Sequence, residues 1–471
     1  MDDPSFDVII IGCGMAGLAA GIRAAMYDKR VLILEKHNAP GGLNSFYFMG
    51  GRKCDVGLHA VTNYVEPGVK GTPLVKLLRQ LRIPREAFEL CPQLQSKISF
   101  PGVDLTFTND FSRLESEVAQ AFPHEVDGFR RLREAVLAFN PFDLEAEPIS
   151  SRAWIKSFIR NPQLEDMIFC PLSYYGSARE NDMDLDQFVI MWRALFEEGF
   201  GRPFAGVRVI IKALIDRFRE VGGKRKMKCA VKQILKEGNR TVGVETESGE
   251  VITAPKVIST IGWVETDKLV QPSKLVSEDQ RVGNLSFVET MSFFKDQPKD
   301  LGWNDTIIFF NDSERFHYQA PNDPVDPRSG VICFPNNYAY PDGQELDEGI
   351  LRVTALANYG SWKSYSEHDY LAAKKEWFDR LLKQALKVLP GNQDATALST
   401  QFQFTDMFTP LTVERFTSHL GGAIYGAKEK NRTGKTTTEG LYLAGTDQGF
   451  LGIIGAMLSG ISMANAHVLR D

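Results

Sequence analysis

Cysteine is sparse and scattered in this chain of 471 residues: six, at Cys13, Cys54, Cys91, Cys170, Cys229 and Cys333, with no CxxC pair and no nearby histidine cluster. That spacing excludes a conventional zinc or iron–sulfur centre, and reduced thiols in a cytoplasmic protein are the expectation. No run of about 18 uninterrupted apolar residues occurs, so no ordinary transmembrane helix is expected and any membrane contact must be peripheral. The opening Met-Asp-Asp-Pro-Ser has neither a basic start nor an apolar stretch, and no signal peptide is expected from it. Positive charge is not in excess either. With 54 Lys and Arg against 60 Asp and Glu the formal net charge is −6, which removes the electrostatic footprint of DNA or RNA binding. Repeats and low-complexity tracts are absent.

What remains is globular material, 43% hydrophobic and 24% charged. The length exceeds what one hydrophobic core usually supports, so two domains are expected. The first forty residues organise them. The apolar run 8–11 reads as a buried parallel strand, and Gly12-x-Gly14-x-x-Gly17 turns it into a helix rich in small residues (Ala16, Ala19, Ala20, Gly21, Ala24, Ala25). Gly12 permits the turn, Gly14 keeps a Cβ out of the path of a pyrophosphate at the helix N-terminus, and Gly17 lets helix and strand pack closely. A second strand, 31–34, ends in Glu35, whose carboxylate can accept both hydroxyl hydrogens of an adenosine ribose and would repel a 2′-phosphate. A nucleotide cofactor other than NADP follows. Paired Gly41-Gly42 in the loop after Lys36 then border the same ligand, and Gly57 and His59 come just after the next predicted strand.

Further along, residues 72–83 have helical periodicity, 98–107 read as a hairpin around Pro101-Gly102, and Ser112-Arg-Leu-Glu115 reads as a capping box. From about 125 to 220 the chain looks mainly helical. Its Trp154, Phe158, Phe169, Tyr174, Tyr175, Phe188, Trp192, Phe196, Phe200 and Phe204 exceed the needs of a small polar pocket, and part of them is expected to line a tunnel or an apolar patch. Residues 207–221 form an amphipathic helix. The basic run 224–228 after it is read as a solvated turn in preference to a lipid-facing patch. A strand meander (230–253), a buried strand (257–262), an antiparallel set (287–294, 306–310, 331–334, 351–357) and a long helix (366–389) follow. Near the C-terminus, 440–447 is another strand running into glycine and an acid, and Gly452-Ile-Ile-Gly455 opens a small-residue helix. That return segment is suited to hold the isoalloxazine O2 and ribityl chain of a flavin, which an NAD-only fold does not require.

The segments DVIIIGCGMAGLAA, LEKHNAPGGLNS, DVGLH, VKQI with GVETESG and VIST, TPLTVERF, YGAKE and GLYLAGTDQGFLGIIGAMLSG together resemble the flavoprotein family of phytoene desaturases, carotenoid isomerases and retinol saturases. The resemblance implies an α/β fold: a Rossmann-like FAD-binding domain (1–70, 205–280, 425–471), an interleaved antiparallel-sheet substrate domain (71–124, 281–424) and a helical lobe (125–204). It implies FAD held by Gly12, Gly14, Met15, Ala16, Gly17, Glu35, Lys36, Gly41, Gly42, Leu43, Gly57, His59, Val231, Gly445, Asp447, Ile454 and Gly455. Of these, Val231 would meet adenine, Asp447 the ribityl or pyrophosphate region, and Ile454 and Gly455 the flavin. Two departures, Gln448-Gly-Phe-Leu-Gly452 in place of a Pro-Gly-Gly-Gly run and Arg202-Pro-Phe-Ala-Gly206 in place of Pro-x-Gly-Gly, bear on the substrate and not on the cofactor.

The implied activity is desaturation, saturation or isomerisation of a lipophilic isoprenoid or polyene by a protein in peripheral contact with a membrane, its electron acceptor or donor unnamed. No acid–base pair stands out by spacing; Glu414, Arg415 and His59 are the candidates. A flavin amine oxidase and a non-enzymatic prenyl-lipid carrier of the GDP-dissociation-inhibitor type share the fold and are the alternatives.

Overall fold

The computed structural model describes residues 5–57, 59–143, 147–270 and 281–470. Leu58 of the Asp-Val-Gly-Leu-His segment, positions 271–280 at the end of the expected 205–280 cofactor segment, and the first four residues lie outside them.

A five-stranded parallel sheet carries the N-terminal motif, in the order Leu441–Leu443, Val257–Ser259, Val8–Ile11, Val31–Leu34, Lys224–Lys226. Val8–Ile11 is buried throughout because both faces are covered, which is why it reads as a continuous apolar run. Val8 and Ile10 face a core shared with the helices Met15–Ala25 and Gly452–Met463, while Ile9 and Ile11 face the antiparallel meander through Ile234, Val244 and Ile252. The helices can approach because their contacts are small. A Cβ added at Gly460 would stand 2.1 Å from the Ala16 carbonyl oxygen, and one at Gly21 2.8 Å from Phe218 of the helix Arg208–Glu220.

The second sheet has seven strands, Phe402–Phe408, Ser286–Phe294, Gly349–Ala357, Val325–Cys333, Ile307–Asn311, Ser96–Phe100 and Val103–Phe107 in spatial order. All neighbours are antiparallel except Ile307–Asn311 with Ser96–Phe100, so the early hairpin docks onto a sheet built from the later chain. Alternation sorts its two faces. Ile307 and Phe309 pack with the helical lobe, and Ile308 and Phe310 pack with Trp377, Leu381 and Ala385 of the long helix Glu367–Val388.

Two expectations change, and a third is met by two residues of ten. The basic run after Gly222-Gly223 is not a solvated turn: Lys224–Lys226 pairs in parallel with Leu32–Leu34 as an edge strand, and its exposed lysines keep that edge from pairing further. The helix expected to be capped by Ser112 starts two residues earlier, Phe111–Ala121, because Asp110 is the cap and its carboxylate accepts from the Ser112 amide. Most lobe aromatics are core. Phe169, Phe188, Trp192, Phe196 and Phe200 are all at least 99% buried, packed ring against ring, and of the ten only Tyr174 and Tyr175 reach a cavity wall.

Candidate functional site

The two glycine loops meet face to face. The Gly41 amide donates to the Cys13 carbonyl at 2.9 Å, and Gly14 and Gly41 form an isolated parallel bridge. Gly12, Gly41 and Gly42 have φ of +103°, +114° and +57°, a region side chains other than glycine rarely adopt. Gly14 differs. A Cβ there would meet nothing closer than the Gly41 oxygen at 3.8 Å, so it would project into the open space between the loops. Gly17 is a packing glycine, its would-be Cβ 2.1 Å from the Gly12 carbonyl oxygen. The helix Met15–Ala25 begins with no side-chain cap and no acid in its first turn, which leaves its leading amides for an anion.

Glu35 is oriented before any ligand arrives. Its Oε2 accepts from the Cys13 amide and its Oε1 from the His37 amide, each at 2.8 Å. The Glu35 carbonyl in turn accepts from Cys229, which brings the strand Val231–Glu237 beside it. The space bounded by these groups is a cavity of about 840 Å³ that runs from Glu35, Val231 and Glu247, past the glycine loops, to Phe287, Val331 and Ile424 on the second sheet's side.

Of the residues expected from sequence, Gly12, Gly14, Met15, Ala16, Glu35, Lys36, Gly41, Gly42, Leu43, Gly57, His59, Val231 and Gly445 are brought together on this wall. Gly17, Asp447, Ile454 and Gly455 are not on it. Asp447 is buried behind the wall, where its carboxylate accepts from the Trp263 amide at 2.6 Å and the Ala427 amide at 2.7 Å and so ties three loops together. Ile454 is fully buried in the core with the glycine helix, and the cavity face of the last helix is given instead by Gly452, Ile453 and Ala456, one helical turn of spacing i, i+3.

The same cavity collects groups that sequence reasoning did not single out. Tyr47, Asp406 and Lys374 stand together, the Tyr47 hydroxyl donating to Asp406 at 2.7 Å and Lys374 3.8 Å from the same carboxylate. Glu265 accepts from the Leu420 amide at 2.8 Å, and burial pushes its carboxyl up to about 7 against that bond. On the inner wall, His59 Nε2 lies 3.0 Å from Glu289 Oε1 and 3.1 Å from the Thr354 hydroxyl. The buried Arg352 guanidinium donates to the same Glu289 oxygen at 2.5 Å. Burial alone would raise the Glu289 carboxyl; Arg352 and His59 outweigh it and hold the group down at about 2. The signal for this pair was present: Glu289 and Arg352 are opposite charges in the middle of otherwise uncharged strands. Glu414 and Arg415 are elsewhere engaged, Glu414 accepting from the Tyr359 hydroxyl at 2.8 Å and Arg415 lying over the Phe416 ring. Among the described residues no group of three or more His, Cys, Asp or Glu is placed to hold a metal ion.

A glycine-lined gap beside uncapped helix amides, with a prefixed acid at one end, fits a dinucleotide, and its continuation past Gly445 fits one longer than an NAD half-site. The comparisons agree. The chain matches the family described as flavin containing amine oxidoreductase over residues 15–467, and it belongs to that family. It is 24% identical to the chloroplastic prolycopene isomerase of Arabidopsis thaliana, covering 98% of this chain and 82% of that one. It is 20% identical to the all-trans-retinol 13,14-reductase of Danio rerio, covering 99% and 86%. A solved oxidoreductase from Methanosarcina mazei has the same fold, with a TM-score of 0.66 at 15% identity over 97% of this chain and 99% of the other. The protein is an FAD-dependent oxidoreductase.

Proposed function

We propose that the enzyme acts on carbon–carbon bonds of a long lipophilic isoprenoid or polyene, by desaturation, saturation or isomerisation. The observation that carries this is the inner end of the cavity, where Phe287, Val331, Ile424, Tyr174 and Tyr175 surround the path and the carboxylates of Glu289 and Asp406 are already committed. Glu289 is taken by Arg352 and His59, and Asp406 by Tyr47 and Lys374. A polar amine entering here would lose its hydration without gaining a free anion, whereas an apolar chain loses nothing by leaving water. The names of the relatives, a prolycopene isomerase and an all-trans-retinol 13,14-reductase, support the same class. The opposing observation is the family description itself, which makes amine oxidation the second reading.

When bound, the flavin supplies two-electron hydride exchange. The chain's part is to hold and exclude. In this reading Gly12, Gly14, Gly41 and Gly42 leave room for the pyrophosphate, Glu35 takes the ribose, Val231 and its neighbours border the adenine, and the apolar inner walls keep water from the reacting carbons. The division of labour follows: 1–70, 205–280 and 425–471 for the cofactor, 71–124 and 281–424 for the substrate, 125–204 as a packed lobe closing it.

The lipid would enter from a membrane surface. Among the described residues no helix is long and apolar enough to cross one. The hairpin of Phe46–Met49 with Arg52–Asp55, however, holds Phe48 65% and Met49 47% exposed beside Phe46, Tyr47 and Met49 of the cavity wall. Apolar exposure at a cavity mouth suits peripheral contact with lipid. Anaerobic spectra of the flavin with polyenes in vesicles and with soluble amines, run in parallel, test the substrate class. Reduction or reoxidation by a polyene is expected, and bleaching by an amine with no response to any polyene would move the enzyme to the amine oxidases.

A further inference from the structure

Resting on that reading, we propose that His59 is the residue that holds and delivers the proton of the reaction, and that Glu289 with Arg352 are positioning residues that fix which nitrogen does so. His59 lines the cavity that Glu35 and the glycine loops open, and neither Glu414 nor Arg415 does. Its Nε2 sits between Glu289 Oε1 and the Thr354 hydroxyl. An ionised Glu289 can only accept, so Nε2 carries hydrogen in either protonation state of the ring. The proton that comes and goes is therefore on Nδ1. Among the described residues Nδ1 has no hydrogen-bond partner, which leaves it to whatever occupies the cavity.

The other ionisable groups around this ring are fixed in charge. Tyr175 lies 6.4 Å from it, ring centre to ring centre, and the Tyr338 hydroxyl and Cys333 thiol both donate to the His59 carbonyl. Burial raises all three, Cys333 to about 12 and the two phenols well above the ordinary tyrosine value, so they stay neutral. The charges facing the imidazole are Glu289 on strand Ser286–Phe294 and Arg352 on strand Gly349–Ala357, with Glu289 in direct contact. Arg352 keeps Glu289 ionised although it is buried, so the acceptor facing Nε2 stays an anion.

The step is a single proton movement. In the saturating direction the Nδ1–H bond breaks, its electron pair stays on nitrogen, and the proton forms a C–H bond on one carbon of the double bond. The neighbouring carbon would take the hydride equivalent that a bound flavin would supply. In the desaturating direction Nδ1 would accept the proton from one carbon, the C–H electron pair would form the double bond, and the hydride of the neighbouring carbon would pass to a bound flavin.

The test uses FAD-loaded protein with whichever substrate the wild type turns over, so that failure of the lipid reading and failure of this one are separable. His59→Gln keeps a side-chain amide to meet Glu289 but has no titrating nitrogen. Bound-flavin absorbance after dialysis should match wild type, while the rate of the flavin half-reaction falls about 10²–10⁴-fold and loses the ionisation seen in the wild-type pH profile. Glu289→Gln should lower that rate more than Glu289→Asp does, with bound flavin unchanged in both, because the neutral amide no longer fixes the hydrogen on Nε2. If it is unstable, since Arg352 is left buried beside a neutral amide, the His59→Gln profile decides alone. A His59→Gln enzyme with wild-type rate and wild-type pH dependence would overturn the proposal.

Discussion

At the scale of single residues, function is concentrated where a side chain is missing or already held. Gly14 is the clearest case, since its added Cβ would enter the gap between the loops and touch no protein atom within van der Waals strain. Gly14→Val should therefore fold and emerge without flavin; a mutant with full flavin absorbance would place the pyrophosphate elsewhere. Glu35→Ala should weaken FAD by about 1.5–3 kcal/mol, the range for hydrogen bonds to a charged group, and an unchanged dissociation constant would remove its ribose role. Glu265 gives a pH prediction. Its folded carboxyl is raised to about 7 from 4.5, so the native state binds more protons between those values and stability falls as pH rises through that window. Glu265→Gln should flatten that fall in Tm, and an unaltered slope would contradict the assignment. The residues of the N-terminal motif were legible in sequence because each has a reason of its own, a turn, an approach or an acid at a strand end. Asp447 and Ile454 were not, because a strand ending in an acid looks the same whether the carboxylate faces a ligand or, as here, two backbone amides.

At the scale of elements, the sequence spoke clearly wherever burial imposed a period. The long helix was expected at 366–389 and spans Glu367–Val388, closed by Pro390-Gly391. Its buried Trp377, Leu381 and Ala385 seat it on the second sheet, and Leu381→Ala should cost about 2–5 kcal/mol in chemical denaturation. A cost below 1 kcal/mol would mean the site collapses around the loss. Edge elements spoke less clearly. Lys224–Lys226 carries no apolar pattern because a sheet edge needs none, so its charge suggested a turn. The lobe aromatics misled for the opposite reason: ring content records burial, and a packed core and a tunnel wall have the same composition.

At the scale of the whole molecule, two sheets built from interleaved segments meet across one elongated cavity, with the nucleotide motif at one end and the His59–Glu289–Arg352 cluster at the other. Neither end is complete without distant parts of the chain, and the segments that carry the resemblance are accordingly spread from residue 7 to 460. The exposed hairpin tip makes a prediction at this scale. Phe48→Glu combined with Met49→Glu should lower co-flotation with vesicles by at least about tenfold while bound flavin is unchanged, given about 1.5–3 kcal/mol for burying each side chain. The most direct measurement of the central claim is chromatographic analysis of a polyene presented in vesicles to the FAD-loaded enzyme, with Gly14→Val protein as the control. The account predicts a product changed in the number or geometry of its double bonds with the loaded enzyme alone. Unchanged polyene, alongside conversion of a soluble amine to its aldehyde by the same preparation, would contradict it.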